Sequence, residues 1–228
     1  MKAIILAAGM GMRIESPLPK CLTHLTAEKT ILDFQIERLS AAFSPDQIVV
    51  VVGYKYQLIM ERHPQLMYVY NHDYVSNGTA KSLLCALRKF HGEDVLWLNG
   101  DIYFDEGVLD LLIGDHKFSS CLVDHKKCGA EEVKYDLDAH GFISHISKEV
   151  SPAKGEALGI NIVRKNELPL FQSALTKCKM KDYFEKAIEN LAVEKKLKMK
   201  PVDKGNLFCQ EIDFQEDLDA VQRYLTQK

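Results

Sequence analysis

The stretch KAIILAAGMGMRIESPLPK, residues 2–20, joins a continuous apolar run to a turn with two glycines and two basic side chains. Such a run is typical of a β-strand covered on both faces. Gly9 and Gly11 favour a turn in which a ligand approaches the backbone, because glycine lacks a Cβ and reaches positive φ. Arg13 and Lys20 follow at the mouth of that turn. The stretch therefore predicts a buried strand that ends in an anion-binding loop.

Two familiar phosphate-binding motifs do not fit this loop. A Rossmann fingerprint requires a small residue where Ile14 stands, followed at once by a helix. Pro17 and Pro19 instead keep the segment extended. A Walker P-loop requires Gly-Lys-Ser/Thr, which this stretch lacks. A dinucleotide-dependent dehydrogenase is therefore disfavoured.

Strands and helices alternate through the first half of the chain. The strand predictions rest on apolar, β-branched runs, and the helix predictions on apolar residues spaced three or four apart. The predicted elements are strands at 47–53, 66–71 and 95–101 and helices at 31–43 and 79–90. Trp97 is predicted to lie in the core. This alternation is typical of right-handed crossovers between parallel strands of one sheet.

The pattern changes after Asp101, where short strands follow one another. Strands are predicted at 119–125, 131–138, 142–148 and 157–163, with helices at 167–178 and 181–192, an edge strand at 195–202 and a last helix after Asp213. We expect one α/β domain over residues 1–228, with a first part at about 1–105 and a second at about 106–228. Its architecture should be a single-domain, Rossmann-like mixed, mainly parallel sheet flanked by helices, with a small β-rich elaboration.

Composition narrows the classes of protein that remain. The chain of 228 residues is 46% hydrophobic and 27% charged, with a formal net charge of −3. Nucleic-acid binders normally carry a basic excess, so we expect no nucleic-acid partner. The first apolar run lacks the flanks of a signal peptide, and no run reaches the roughly 18 apolar residues of a membrane span. We expect a cytoplasmic protein that makes no membrane contact.

The cysteines and histidines form no recognisable metal motif. The six cysteines are scattered without a CxxC pair, which predicts reduced thiols. The histidines in the middle of the chain form no HxH or HExxH pair, so zinc is disfavoured. They are His116, His125, His140 and His145.

The stretch LAAGMGMR followed by PLPKCL resembles the signature of the nucleotidyltransferases that make nucleotide sugars and related activated alcohols. That signature is L-A-A-G-x-G-x-R followed by P-K. The spacing here is similar to that of N-acetylglucosamine-1-phosphate uridylyltransferases. The resemblance implies a GT-A-like fold whose loop wraps the triphosphate of an NTP, with Arg13 and Lys20 as catalytic residues on its phosphates. The implied loop contacts are Leu6, Ala7, Ala8, Gly9 and Gly11.

The segment SNGTAKSLLCAL, residues 76–87, resembles the part of that family that holds the base and ribose. By this resemblance Asn77, Gly78 and Thr79 bind the nucleotide, with Gly78 allowing a base to stack on the backbone. The alternative is structural: Asn77 or Thr79 caps the helix that follows.

Two aspartates match the metal ligands of the family. Asp101 ends the strand in LWLNGDIYFD, where a carboxylate suits Mg²⁺, and Asp213 lies in CQEIDFQEDL. The competing interpretation of Asp213 is a helix cap with Glu216 in the first turn. Asp105 is the other nearby carboxylate, and we expect it to cap a helix at 105–113.

The stretches ISKEV and GEALGI fall where relatives bind the acceptor. The resemblance makes Lys148 the candidate for the acceptor phosphate and places Glu156 and Gly159 in the acceptor pocket. A solvated turn lysine is the alternative for Lys148, and Lys134 is a weaker candidate.

The resemblance implies a Mg²⁺-dependent transfer of a nucleotidyl group from an NTP to a phosphorylated small molecule, with release of pyrophosphate. The first part of the chain would bind the nucleotide and the second the acceptor. We expect a stand-alone enzyme, since no acyltransferase repeats follow the last helix, and favour CTP with a phosphorylated alcohol or sugar. Sugar-1-phosphate uridylyl- or guanylyltransfer and a non-catalytic nucleotide-binding regulator stay open, as does a homodimer.

Overall fold

The computed structural model describes residues 1–10, 17–114 and 117–228. Within these ranges the strands are β1 (Lys2–Ala7), β2 (Ile48–Val52), β3 (Met67–Tyr70), β4 (Val95–Asn99), β5 (Ile102–Phe104), β6 (Ser119–Asp124), β7 (Lys134–Leu137), β8 (Ile143–Ser147), β9 (Gly155–Val163), β10 (Met199–Asp203) and β11 (Cys209–Glu211). The helices are α1 (Ile31–Ser40), α2 (Tyr56–Arg62), α3 (Thr79–Leu87), α4 (Val108–Ile113), α5 (Leu168–Lys177), α6 (Glu185–Val193) and α7 (Gln215–Thr226). No described helix is both long and apolar enough to cross a bilayer.

The main sheet has the strand order β10-β6-β9-β4-β1-β2-β3. Every neighbouring pair is parallel except those that β9 makes with β4 and β6. The hairpin of β7 and β8 joins this sheet through β9. The predicted mixed, mainly parallel sheet with a β-rich elaboration is therefore confirmed.

The central strands β1, β2 and β4 are buried on both faces, as their continuous apolar runs indicate. In β1, Ile4 and Leu6 pack into one core layer, and Ala3, Ile5 and Ala7 pack into the other. Helices α3, α5 and α6 cover the first layer.

Trp97 is fully buried in β4, as predicted, and its ring lies 5.2 Å from that of Phe171. Aromatic rings at this separation add a modest stabilisation to their burial. This layer therefore packs against β4, the strand that precedes Asp101 in the chain.

Several elements are shorter than predicted, and some are absent from the prediction. The strand predicted at 95–101 ends at Asn99 because the chain leaves the sheet at Gly100. The N–H of Gly100 donates to the carbonyl of Leu6 at 2.9 Å, and a Cβ there would lie 2.7 Å from that oxygen. Helix α2 and the short strands β5 and β11 were not predicted, whereas β10 is an edge strand as expected.

The expected cap at Asp105 is wrong. Helix α4 begins at Val108, after Gly107. The buried Asp105 carboxylate instead accepts hydrogen bonds from the N–H of Phe208 at 3.0 Å, the hydroxyl of Tyr224 at 2.6 Å and the ammonium of Lys228 at 2.9 Å. Burial opposes ionisation, but the bonds from Lys228, Tyr224 and Phe208 outweigh it and lower the pKa of Asp105. The aspartate fastens the last helix to β5.

Asp105→Asn should lower the free energy of unfolding by about 1–2 kcal/mol at pH 7. The substitution removes the ion pair with Lys228 and weakens the hydrogen bonds that the side chain accepts. A group with a lowered folded-state pKa contributes stability above its unfolded pKa and loses it as the pH falls through the folded value. The difference from wild type should therefore shrink in urea denaturation at pH 3. Glu106→Gln, at an exposed neighbour, is the control, and an equal loss there would contradict the assignment.

Candidate active site

The carboxyl ends of β1 and β4 open into a cleft with a volume of about 390 Å³. Ligands bind at this edge of the sheet in open α/β folds. The predicted site residues that line it are Leu6, Ala7, Gly9, Lys20, Thr79, Asp101, Lys148, Gly159 and Asp213. Ala8, Asn77, Gly78 and Glu156 lie outside this lining, and the predicted Gly11 and Arg13 fall outside the described residues. The structure thus gathers residues from both halves of the chain around one cleft.

Three charged side chains meet at the centre of the cleft. The ammonium of Lys20 lies 2.7 Å from Oδ2 of Asp101 and 2.6 Å from Oδ1 of Asp213. Burial works against the charged lysine, but the two carboxylates outweigh it and raise the pKa of Lys20. We call this group the charge centre.

Local backbone contacts bring the members of the charge centre together. Lys20 begins a 3-10 turn at Lys20–Leu22, directly after Pro19. The pairing of β11 with β5 sets Glu211 opposite Ile102, and the N–H of Ile212 donates to the carbonyl of Asp101 at 2.9 Å. This pairing brings Asp213 close to Asp101, although the two residues are far apart in the sequence.

A glutamine fixes the turn that carries Asp101. The buried amide of Gln35, from α1, donates to the carbonyl of Asn99 at 2.9 Å and to that of Ile102 at 2.7 Å. These bonds satisfy backbone groups where the chain leaves the sheet. Gln35 gave no signal in the sequence, because a glutamine in a helix is usually solvated.

Asp213 does not cap the last helix. Helix α7 follows Phe214, and the N–H groups of Asp213 and Phe214 both donate to Oδ2 of Asp217, at 3.0 and 2.9 Å. The cap interpretation, which relied on Glu216, is therefore wrong. Asp217 has the capping role, and the Asp213 carboxylate is left to contact Lys20.

Glu211 is a third carboxylate at the charge centre. Single oxygens of Asp101, Glu211 and Asp213 lie within 4.8 Å of one another. Confinement in the cleft, followed by the negative charges of Asp101 and Asp213, raises the pKa of Glu211 well above its ordinary value, although the residue keeps a solvent-exposed face. The sequence places Glu211 two residues before Asp213, but a strand residue with an exposed face gave no reason to select it.

The cap residue of α3 differs from the two residues that the sequence suggested. Neither Asn77 nor Thr79 caps the helix, whose cap residue is Gly78. Asn77 donates to Asn71 at 3.1 Å, and the Thr79 hydroxyl accepts from the N–H of Phe184 at 3.1 Å. Those two capping predictions are wrong.

Gly78 is held against neighbouring backbone. Its N–H donates to the carbonyl of Met180 at 2.6 Å, and an added Cβ would lie 2.3 Å from the carbonyl oxygen of Asp182. Protein occupies that side of Gly78, which gives a reason for glycine other than the stacking of a base.

Gly78→Ala should lower the free energy of unfolding by about 1–3 kcal/mol, because the new methyl group meets backbone that cannot rotate aside. Thermal unfolding or urea denaturation measures the change. The control is Ser76→Ala, in the exposed loop before Asn77, which should leave the stability nearly unchanged. Unchanged stability in Gly78→Ala would contradict the close packing.

The predicted acceptor residues divide into two groups. Lys148 and Gly159 line the cleft, and the ammonium of Lys148 lies 3.0 Å from a carboxylate oxygen of Glu131. Glu156 lies outside the lining and pairs with Lys126 at 2.7 Å, and burial raises its pKa. The weaker candidate Lys134 donates to the carbonyl of Lys148 at 2.6 Å, which positions the backbone beside the cleft.

A buried glutamate that the sequence did not indicate lines the same cleft as Lys148. Glu185 is the first residue of α6 and only 7% exposed. Burial raises the pKa of Glu185 to about 7, while the charge of Lys148 lowers it in part. An acidic residue in the first turn of a helix normally faces solvent, so its pattern resembled an ordinary helix start.

Glu185→Gln should make the protein more stable than wild type at pH 8, and less so at pH 5. A carboxyl with a raised folded-state pKa contributes full stability below its unfolded pKa and loses it as the pH rises through the folded value. From pH 5 to pH 8, the difference in unfolding free energy between Glu185→Gln and wild type should grow by up to about 3 kcal/mol. Urea denaturation at both pH values measures it. In Glu189→Gln, one turn along α6, we expect little change, and a pH-independent gap in Glu185→Gln would contradict the burial of a titrating carboxyl.

Comparison with known proteins places this architecture in a family. A model of the MobA-like NTP transferase domain matches residues 3–134, more than half of the 228 residues. The chain therefore belongs to the MobA-like NTP transferase domain family, and it is a nucleotidyltransferase of that class.

Similar proteins include the bifunctional protein GlmU of Methanococcus maripaludis (strain C7), which is 28% identical over 201 residues, or 83% of this chain and 47% of GlmU. GlmU of Thermotoga petrophila is 32% identical over 119 residues, or 51% of this chain and 26% of GlmU. The chain thus spans less than half the length of these relatives.

Solved structures share the fold. The inositol-1-phosphate CTP transferase of T. maritima superposes with a TM-score of 0.81 at 20% identity, covering 99% of this chain and 94% of its own. The CTP:phosphocholine cytidylyltransferase LicC of Streptococcus pneumoniae gives 0.80 at 20% identity, covering 98% of each chain. A UDP-glucose pyrophosphorylase gives 0.80 at 13% identity, covering 100% of this chain and 99% of its own.

Proposed function

We propose that the protein transfers a nucleotidyl group from an NTP, with CTP favoured, to the phosphate of a small alcohol or sugar, and that it releases pyrophosphate. The observation that carries this proposal is the charge centre, where Lys20 meets Asp101 and Asp213 at the end of the first strand. The family assignment makes the class of reaction nucleotidyl transfer. In this proposal residues of about 1–105 bind the nucleotide and those of about 106–228 the acceptor.

The carboxylates of the charge centre suit a Mg²⁺ ion. Asp101 and Asp213 offer hard oxygen ligands close together, with Glu211 beside them. Oδ1 of Asp101 is buried and has no hydrogen-bond partner among the described residues, so one ligand atom is available. We propose Asp101 and Asp213 as the metal ligands. A bound Mg²⁺ would neutralise negative charge on the phosphates.

Lys20 and such an ion would compete for the same two carboxylates. We therefore expect the Lys20 ammonium to turn toward the phosphates when the nucleotide binds, where it offsets negative charge on the leaving pyrophosphate. Arg13, in the same loop of the sequence, is proposed to grip phosphate oxygens with its planar guanidinium.

The first loop and the start of α3 are proposed to hold the nucleotide. Leu6, Ala7 and Gly9 line the cleft beside the charge centre, and Thr79 lines it from α3. Ala8, Gly11, Asn77 and Gly78 stay predictions from the resemblance. Lys148 is proposed to bind the acceptor phosphate, with Gly159, which also lines the cleft, and Glu156 retained from the family pattern.

The reaction needs no strong general base. An oxygen of the acceptor phosphate, already an anion, forms a bond to the α-phosphorus, and the bond from that phosphorus to the leaving pyrophosphate oxygen breaks. The difficulty is bringing two anions together, so positioning and positive charge supply most of the catalysis. Lys20 and Lys148 both line the cleft in which such charge is needed.

The proposal also names a nucleotide base, cytosine. Two neighbours of the fold are described as CTP enzymes, which supports CTP. A uridylyl transfer is the second candidate, since a UDP-glucose pyrophosphorylase also shares the fold.

The test measures pyrophosphate release with each NTP, Mg²⁺ and a panel of phosphorylated acceptors. Lys20→Ala, Arg13→Ala and Asp101→Asn should each lower kcat/KM by about a hundredfold, since one charge in a partly desolvated site contributes roughly 3 kcal/mol. Lys29→Ala, at an exposed surface pair, is the matched control and should retain activity.

Two outcomes would overturn the proposal. Near-normal turnover in Lys20→Ala or Asp101→Asn would remove these residues from the site. Nucleotide binding without pyrophosphate release from any acceptor would favour a non-catalytic regulator.

A further inference from the structure

Glu185 has no ionic partner in the protein that is described. Glu185 lines the same cleft as Lys148, although only 7% of the residue is exposed. Among residues 1–10, 17–114 and 117–228, its own backbone N–H is the hydrogen-bond donor to its carboxylate. The ammonium of Lys148 lowers its pKa in part but forms its ion pair with Glu131, at 3.0 Å.

The carboxylate is held in place by the segment that precedes it. The N–H of Phe184 donates to the Thr79 hydroxyl at 3.1 Å, and the Phe184 ring meets Trp97 edge to face at 5.6 Å. Phe184 is itself buried, so the first residue of α6 starts from a fixed backbone. Glu185 therefore lines the cleft from a fixed backbone position, as binding residues require.

A buried carboxylate without a directly paired cation is costly, because it loses water and the more distant charge of Lys148 offsets that loss only in part. Burial accordingly raises the pKa of Glu185 to about 7. The protein leaves a negative charge, or the proton that cancels it, at the place where the acceptor is expected to bind. A positively charged ligand group there would replace the missing partner.

We propose that the acceptor is a phosphate monoester whose other end carries a primary ammonium group, and that Glu185 binds this group. The inference rests on the proposed function, because it describes the acceptor of the same cleft. Lys148 would contact the phosphate and Glu185 the ammonium, so that the two ends of one dipolar molecule meet opposite charges.

A primary ammonium fits this site better than a quaternary one. A primary ammonium donates three hydrogen bonds and can bond directly to a carboxylate. A quaternary ammonium cannot donate, and binds instead among several aromatic faces. Tyr183, which is 53% exposed, is the single aromatic residue in the described lining of the cleft. Sugar hydroxyls could also donate to Glu185, but they would not neutralise it.

The experiment compares acceptors of similar size that differ in charge. With CTP or UTP and Mg²⁺, pyrophosphate release is measured for phosphoethanolamine, n-propyl phosphate, phosphocholine and glucose 1-phosphate. For wild type we expect kcat/KM for phosphoethanolamine to exceed that for n-propyl phosphate by about tenfold or more, mainly through KM. In Glu185→Gln this ratio should fall to about one, and in Glu189→Gln, a matched substitution on the same helix, it should stay as in wild type.

The comparison of the four acceptors with the wild-type protein tests the inference without any variant. Equal or better use of n-propyl phosphate or glucose 1-phosphate would overturn the inference and leave nucleotidyl transfer intact, and so would a preference for phosphocholine over phosphoethanolamine. A preference for phosphoethanolamine that survives in Glu185→Gln would remove Glu185 from acceptor binding. No pyrophosphate from any acceptor would overturn the proposed function, and the inference with it.

Discussion

The ammonium of Lys20 lies between the carboxylates of Asp101 and Asp213, at 2.7 and 2.6 Å. This contact joins the loop after the first strand, the turn after β4 and the segment before the last helix. Without the cation, two carboxylates and the neighbouring Glu211 would repel one another in a confined cleft. The ion pairs therefore hold together a site whose parts come from both ends of the sequence.

The backbone around this contact is arranged to support it. Gly100 lets the chain approach the carbonyl of Leu6 closely, and Gln35 satisfies the carbonyls on either side of Asp101. The β5 and β11 pair then sets Asp213 beside Asp101. These are uncharged contacts, but they decide where the charged groups lie. The backbone contacts at this edge of the sheet therefore determine the positions of the charged groups in the cleft.

Much of the fold could be predicted from the sequence, because buried strands and amphipathic helices leave periodic patterns. β2 with its run of valines and α3 with its apolar face are examples. The short strands β5 and β11 carry only three residues each, which is too few for a period to show. The sequence motifs also selected Lys20, Asp101 and Asp213, although only the resemblance suggested that they meet.

The helix-cap predictions failed for a common physical reason. A short polar residue before a helix can cap it or can bond elsewhere, and local sequence does not separate these choices. Asp105 bonds to Tyr224 and Lys228, and Thr79 bonds to Phe184, in both cases across long sequence separations. Glu185 was missed for the converse reason, since tertiary packing buries a residue that local sequence would place in solvent.

The central claim is that Asp101 and Asp213 act as one unit with Lys20, and a double-mutant cycle tests it most directly. The measurement is kcat/KM for pyrophosphate release in wild type, Asp101→Asn, Asp213→Asn and the double variant. Since residues of one unit are strongly non-additive, the double variant should lose little more activity than either single variant. Losses that simply multiply would show that the two aspartates act independently and would contradict the account.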